Sequence, residues 1–366
     1  MSPRLHVGLT PLAESTLNRE ESTINFPDGH GQTTSMRYLI TGATGFVGGH
    51  IAEACVRKEQ TLTALVRPTS DTRELERLGA ILYRGELNDP QIVRQAVAEA
   101  EVVVHCAAKV GDWGPVDEYR QVNVESLRVL LDACKGQALS RFIHMSSLGV
   151  YEARHHHQTD EDTPLPKRHR DGYSQSKVEA EQLAMHYYKE FGVPVVILRP
   201  GFVYGPRDRT VLPRIIDNLR KGTMRYPGAR GARALNTIFV ENLVDAVFLA
   251  VAAEAAVGEV YNLTDGEFVS KRRFIEAVAD AMGLPHPTLA PPLWLARIVT
   301  WGAESLAKMR GAKEAPAFNF TRLKFMGLNL DFSIEKAKNQ LGYSPRVKFE
   351  EAIGETMDWY KRHYAE

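Results

Sequence analysis

From Met36 onward, short, mainly apolar runs alternate with stretches of helix length. Arg37-Tyr38-Leu39-Ile40-Thr41 predicts a strand, Phe46 to Arg57 a helix and Thr61 to Val66 a second strand. Thr72 to Leu78 predicts a short helix, with Asp71 and Glu74 placed as a capping pair. Ile81-Leu82-Tyr83, Val102-Val103-Val104-His105, Phe142-Ile143-His144-Met145 and Val195-Val196-Ile197-Leu198 lack polar alternation, as strands buried on both faces of a parallel sheet do. Strands alternating with helices dictate an α/β protein with a doubly wound parallel sheet and right-handed crossovers. After Pro200 the regularity breaks into helices, Pro/Gly turns and a further strand at Val260 to Leu263. That pattern predicts a smaller C-terminal substrate-binding domain closing a cleft over the carboxyl edge of the sheet. The expected division is 36–200 with 237–265 for the sheet domain, and 201–236 with 266–366 for the smaller one. Residues 1–35, polar and without periodicity, predict a flexible N-terminal extension.

Composition narrows the class of function. The 366 residues are 44% hydrophobic and 25% charged, enough for a large core. The 45 Lys and Arg balance 45 Asp and Glu, so the chain offers no general field for nucleic acid or an anionic surface. Three cysteines, Cys55, Cys106 and Cys134, show no C-x-x-C spacing; they argue against a disulfide framework or thiolate metal site and for a reducing, cytoplasmic setting. No apolar run approaches the roughly 18 residues of a membrane span, and the first 35 residues lack a signal-peptide core. The expectation is a soluble cytoplasmic protein without a transmembrane segment.

Two constellations carry chemistry. Thr41-Gly42-Ala43-Thr44-Gly45-Phe46-Val47-Gly48 follows the first strand and opens the first helix. Its glycines allow a tight turn and close backbone approach, with the helix N-terminus facing a pyrophosphate, so the sheet is of the Rossmann type and binds a dinucleotide. Where NAD-specific chains hold an acid at the end of the second strand, this one holds Arg67, followed by Thr69 and Ser70. An arginine there receives the 2′-phosphate of NADP, so NADP(H) is preferred and NAD(H) remains the alternative. Further on, Tyr173 and Lys177 are four apart on one helix face. An adjacent ammonium lowers a tyrosine pKa from about 10, letting the phenol exchange a proton with a substrate oxygen while a nicotinamide exchanges hydride. Ser146 and Ser147 follow the strand ending at Met145, at the edge where such sheets place their sites.

Taken together with His105-Cys106-Ala107-Ala108, Asn123-Val124, Ser146-Ser147-Leu148-Gly149-Val150-Tyr151, Tyr173-Ser174-Gln175-Ser176-Lys177 and Arg199-Pro200-Gly201-Phe202-Val203-Tyr204-Gly205-Pro206, the glycine motif resembles the extended short-chain dehydrogenase/reductase superfamily. The resemblance runs from Met36 nearly to the end. It implies Tyr173 as acid/base, Lys177 holding the nicotinamide ribose, Ser147 binding the reacting oxygen and Asn123 supporting a proton relay. Ser147 is chosen over Ser146 because it stands four before Tyr151, as in relatives. The resemblance also implies cofactor contacts from Gly42, Thr44, Gly45, Phe46, Val47, Gly48, Arg67, Glu86, Leu87, Ala107, Ala108, Lys109, Lys177, Pro200 and Val203, and a homodimer packed through helices around Val116 to Lys135 and Tyr173 to Phe191. The segment Ala107 to Gly114, with Trp113, resembles the branch of 3β-hydroxysteroid dehydrogenases and 2-alkyl-3-oxoalkanoate reductases. Two departures stand out. The Gly-Asp-Leu adenine motif reads Gly85-Glu86-Leu87, and the Arg-Asp pair common in nucleotide-sugar epimerases reads Leu235-Asn236.

Bland readings compete elsewhere. His155-His156-His157 reads as a polar loop, because Arg154, Lys167, Arg168 and Arg170 would repel a cation, and no metal site is expected. His144 reads as a satisfied core histidine. Pro291 to Leu306, with Trp294 and Trp301, reads first as core, then as cleft wall, and last as a membrane-leaning helix. The functional expectation is an NAD(P)-dependent oxidoreductase interconverting a secondary alcohol and a ketone on a small, mainly apolar molecule, sterol-like or β-keto acid-like. The runners-up are a nucleotide-sugar 4-epimerase or dehydratase and a non-catalytic nucleotide sensor.

Overall fold

The computed structural model describes residues 35–312 and 314–364, so the extension expected at 1–35 lies, save for Ser35, outside the described residues. Seven parallel strands form the central sheet: β1 (Arg37–Thr41), β2 (Thr61–Val66), β3 (Ile81–Arg84), β4 (Val102–His105), β5 (Arg141–Met145), β6 (Val195–Pro200) and β7 (Val260–Leu263). Their spatial order is β7-β6-β5-β4-β1-β2-β3. The chain reverses its winding between β1 and β4, where Thr41 stands beside His105, and a doubly wound sheet opens its binding crevice there.

The apolar runs have no polar alternation because both faces of the sheet are covered. Tyr38, Ile40, Val102, Val104, Ile143, Val196 and Leu198 pack on one side, against helices α1 (Phe46–Arg57) and α6 (Val240–Ala252). Leu39, Val103, Phe142, Val195 and Ile197 pack on the other, against α2 (Pro90–Val97), α3 (Ser126–Cys134) and α4 (Gly172–Phe191). A third cluster, around Tyr204, Leu212, Ile216, Phe239, Phe274, Phe349 and Tyr360, gathers α5 (Val211–Arg220), α7 (Lys271–Met282) and α10 (Phe349–Tyr364). The C-terminal region also contains α8 (Leu293–Met309), α9 (Phe320–Gly327) and a short helix at Glu335–Leu341.

Several local expectations need correction. Asp71 does accept from the Arg73 amide at 3.2 Å, but Glu74 bonds Arg77 instead of closing a capping box. His155 ends a loop, but His156 and His157 do not belong to it: His156 opens a short strand, His156–Thr159, parallel to Leu330–Phe332, and is buried with its ring stacked on Phe332 at 4.5 Å. Burial brings the His156 pKa down to about 4, so it stays neutral. His144 is core but unsatisfied, since neither ring nitrogen has a hydrogen-bond partner. The Trp294 segment is not core; α8 buries Thr300 and leaves its large apolar side chains outside.

Candidate active site

The glycine turn is set by backbone crowding. Gly42 has φ +74°, and a Cβ there would stand 2.7 Å from the Ala107 amide nitrogen; one on Gly48 would collide with the Gly42 carbonyl. Only bare backbone lets β1, the loop after β4 and α1 meet this closely. The Gly45 amide donates to Gly42 O at 2.9 Å and starts α1, which has neither a side-chain cap nor an acid in its first turn. The positive end of α1 is therefore left for an external anion. Thr44 and Gly45 are exposed there, while Phe46 and Val47 are half-buried. At the end of β2, Arg67 is exposed, and the Gly85 amide donates to Val66 O at 2.9 Å, which brings Glu86 and Leu87 beside that strand end. Ala107, Ala108 and Lys109 line the exit of β4, half-buried. Pro200 is buried at the end of β6, and Val203 sits in a short strand paired with Thr237–Phe239.

The titratable centre stands where β5 meets α4. Asp171 caps α4, accepting from the Ser174 amide at 2.7 Å, which places Tyr173 in the first turn. Tyr173 hydrogen-bonds with the Ser147 side chain, which also accepts from the Gly149 amide at 3.0 Å. The hydroxyl of Ser146 turns inward to Glu181, so the two serines divide, one to the tyrosine and one to the core. Lys177 is buried, its ammonium donating to Met145 O at 2.7 Å and lying 6.0 Å from the centre of the Tyr173 ring. Burial brings its pKa down to about 8, against the pull of Cys106 and Glu181.

Tyr173 departs from the expected direction. Burial raises its pKa to about 12, and the Ser147 hydrogen bond opposes that only in part. Lys177 does not lower it, since an ammonium committed to the Met145 carbonyl and set over the ring lies off the phenol oxygen. Beneath the site, His105 bonds Thr41 at 2.7 Å and stacks on His144 at 5.6 Å. Burial first, then the Lys177 charge, lowers both imidazoles, His105 to about 3, so neither competes for a proton at neutral pH.

Asn123 lies in a π-helical turn, Gln121–Glu125, and its amide is fully committed. It accepts from the Lys109 amide at 2.7 Å and donates to Lys109 O at 3.1 Å and to Ser176 at 2.9 Å. Its side chain thus fixes the segment after β4 to α4. Sequence reasoning missed the support behind the site: Glu181 and Arg199 form a buried bidentate pair at 2.9 and 2.6 Å, and Arg199 donates at 2.8 Å to Tyr151, which bonds Asn262 at 2.9 Å. Two signals pointed to it. Glu181 repeats the four-residue spacing of Tyr173 and Lys177, and Arg199 interrupts an apolar strand. Lys324, whose ammonium bonds the carbonyls of Gly149 and Tyr151 at 2.8 and 3.2 Å, had no sequence signal.

A dinucleotide fits these residues: the bare-backbone cradle at Gly42 and Gly48, the uncapped start of α1 and the exposed Arg67 lie along one sheet edge with the buried Lys177. Residues 38–264 match the NAD dependent epimerase/dehydratase family. The chain is 31% identical over 321 residues to a 4-hydroxy-2-methyl-3-oxo-4-farnesyl-3,4-dihydroquinoline-1-oxide ketoreductase of Stigmatella aurantiaca, covering 87% of this chain and 95% of that one. It is 29% identical to a 2-alkyl-3-oxoalkanoate reductase of Stenotrophomonas maltophilia, over 87% and 97% of the two chains. Among solved structures, UDP-glucuronic acid 4-epimerase of Bacillus cereus in complex with NAD superposes with a TM-score of 0.71 at 24% identity, over 90% and 100% of the chains, a likeness of fold.

Proposed function

Because the chain belongs to the NAD dependent epimerase/dehydratase family and is an NAD(P)-dependent oxidoreductase of the extended short-chain type, we propose that it reduces a ketone to a secondary alcohol on a mainly apolar substrate, β-keto acid-like or sterol-like, with NADPH preferred over NADH. The observation that supports the direction is the likeness to relatives named as a ketoreductase and a 2-alkyl-3-oxoalkanoate reductase. Tyr173, a phenol that keeps its proton at neutral pH, then delivers the proton that ketone reduction requires at the oxygen.

In this reading Ser147 and Tyr173 hold the substrate carbonyl oxygen together, and the Tyr173 proton passes to it as charge develops there. A bound nicotinamide supplies the hydride for the carbonyl carbon. Lys177, still charged at pH 7, holds the nicotinamide ribose. Asn123 is a positioning residue, keeping the Ala107–Lys109 segment against α4. The turn from Gly42 to Gly48 holds the pyrophosphate, Arg67 the 2′-phosphate, Glu86 and Leu87 the adenine side, and Pro200 and Val203 the nicotinamide end. Residues 36–200 with 237–265 serve as the cofactor domain and 201–236 with 266–366 as the substrate domain, in a cytoplasmic homodimer.

The apolar substrate class is supported by two relatives whose names specify farnesyl or alkyl ketone compounds, and by Leu235 and Asn236 standing where a diphosphate would want an arginine. The test is a series of 2-alkyl-3-oxo acids of increasing chain length alongside UDP-sugars, followed by NADPH consumption. Each buried methylene should contribute up to about 0.8 kcal/mol, roughly fourfold in kcat/KM, until the pocket fills. Turnover of a UDP-sugar without net use of NADPH, together with indifference to chain length, would replace this reading by the epimerase one.

A further inference from the structure

We propose that α8 is a docking helix that lies in the surface plane of an anionic lipid bilayer. At 100° per residue, Trp301, Trp294, Ile298, Met309, Leu295, Leu306 and Val299 occupy one arc of about 160°, which Ser305 and Gly302 also share. The structure leaves this arc facing solvent, with Trp294 and Trp301 each 64% exposed and Ile298 58%. The opposite arc carries Ala296, Thr300, Ala303 and Ala307, small residues with which the helix leans on the protein. Contiguous large apolar side chains on a convex outer helix mark an interaction surface, where single exposed residues would not.

Charge selects the occupant. Arg297 and Lys308 fall at one border of the apolar arc and Arg310 at the other, all exposed. The one acid of the helix, Glu304, is only 16% exposed; it accepts from the Phe320 amide at 2.7 Å, capping the start of α9, and pairs at 3.9 Å with Lys308, so Arg297 and Arg310 are the flanking charges that the helix itself leaves without an acid. An apolar centre with two tryptophans, cations on both flanks and no outward acid fits an interface of acyl chains below anionic headgroups, where Arg and Lys stems extend along the apolar layer and their charges stay in water. A neutral net charge is no obstacle, because the attraction is local to one helix.

The helix also adjoins the candidate cleft. The Trp113 indole donates to Ala312 O at 2.9 Å, just beyond the end of α8, and Lys308 lies 5.9 Å from the Trp113 ring. Trp113 belongs to the segment that Asn123 anchors at Lys109. A bilayer held by α8 would thus face the same side of the molecule as the Trp113 loop, a short path for an apolar molecule dissolved in lipid.

The experiment is sedimentation of the full chain with phosphatidylcholine vesicles prepared with and without phosphatidylglycerol. Binding is expected to the anionic vesicles, weaker by about 30-fold to neutral ones, since Arg297 and Arg310 act together while Lys308 is shared with Glu304. The variant Trp294→Glu/Ile298→Glu should lose binding to both by more than about tenfold. Arg297→Gln/Lys308→Gln/Arg310→Gln should keep weak binding but lose the preference for phosphatidylglycerol. All five side chains are exposed, and the one ion pair among them, Lys308 with Glu304, is a surface pair, so melting temperatures should move little. No sedimentation of the wild type at low salt would overturn the proposal, as would binding unchanged by the double glutamate. So would a dimer that the double glutamate converts to monomer without any lipid binding, because a second copy would then cover α8. These readouts measure binding and not turnover, so they stand apart from the substrate reading.

Discussion

Replacing Lys177 by methionine should stabilise the protein while abolishing its activity. The ammonium is 5% exposed, has one acceptor in Met145 O at 2.7 Å, and titrates at about 8 in place of 10.5 because burial disfavours its charge. That difference of about 2.5 units corresponds to about 3 kcal/mol against the folded state. The sign follows from proton counts: between pH 8 and 10.5 the unfolded chain holds the proton more tightly than the folded one, so the cost is full below pH 8 and shrinks as pH rises. Methionine has similar length and no charge, but it leaves the buried Met145 carbonyl without a donor, at about 1 kcal/mol. The net expectation at pH 7 is a gain of about 2 kcal/mol, narrowing by up to about 1.4 kcal/mol for each pH unit above 8. Urea unfolding of both proteins from pH 7 to about 10 reads the difference directly. A variant less stable than wild type at pH 7, or a gap that does not change with pH, would show that the ammonium is not held at a cost and would remove the burial account of Lys177.

Tyr173→Phe should lower kcat by about 10²-fold or more with little change in cofactor affinity, and retained turnover in steady-state assays would exclude the phenol as proton donor. Arg67→Asp should weaken NADPH and spare or improve NADH; equal losses in titrations of both would show that Arg67 does not read the phosphate. Glu181→Gln leaves the Arg199 charge buried without its counter-ion and should cost about 3–5 kcal/mol in denaturant unfolding, whereas Glu181→Leu/Arg199→Leu should recover much of that. A loss below about 1 kcal/mol would mean that Tyr151 and the backbone already satisfy the arginine. Ser147→Ala should lower kcat more than it raises KM, since its hydroxyl is proposed to share the developing oxygen charge with Tyr173.

The sheet was legible because its burial is two-sided. β1, β2, β4 and β7 were readable to the residue, since a parallel strand covered by helices on both faces is mainly apolar and stands out from the polar helix-length stretches around it. The glycine turn was legible for a different reason: no side chain fits at Gly42 or Gly48, so the sequence has no freedom there. Where a side chain's role depends on what faces it from a distant segment, pattern alone failed. Spacing placed Lys177 beside Tyr173, but the pKa of Tyr173 is set by burial under the Ser147 turn. Spacing therefore gave the Tyr173 and Lys177 pair, and not the resting state of the phenol. His144 was read as satisfied from its place in an apolar strand, yet satisfaction depends on the neighbouring strand, which offers a stacked His105 ring and no acceptor.

The Trp294 segment shows the same limit at the surface. Its mean composition is that of a core helix, and an arc of about 160° is wide enough for burial. What decides burial is whether the small-residue side or the large-residue side meets the protein, and α8 presents Ala296, Thr300, Ala303 and Ala307 inward. Small residues allow close approach with little buried area, and the helix is tied further by Leu293 packed at its start, by Glu304 bonded to the start of α9 and by Trp113 bonded to Ala312 just past its end. A helix anchored in that way can keep its large apolar side free without leaving the fold, and the hydrophobicity that reads as a structural signal in the sequence then belongs to a surface available for binding.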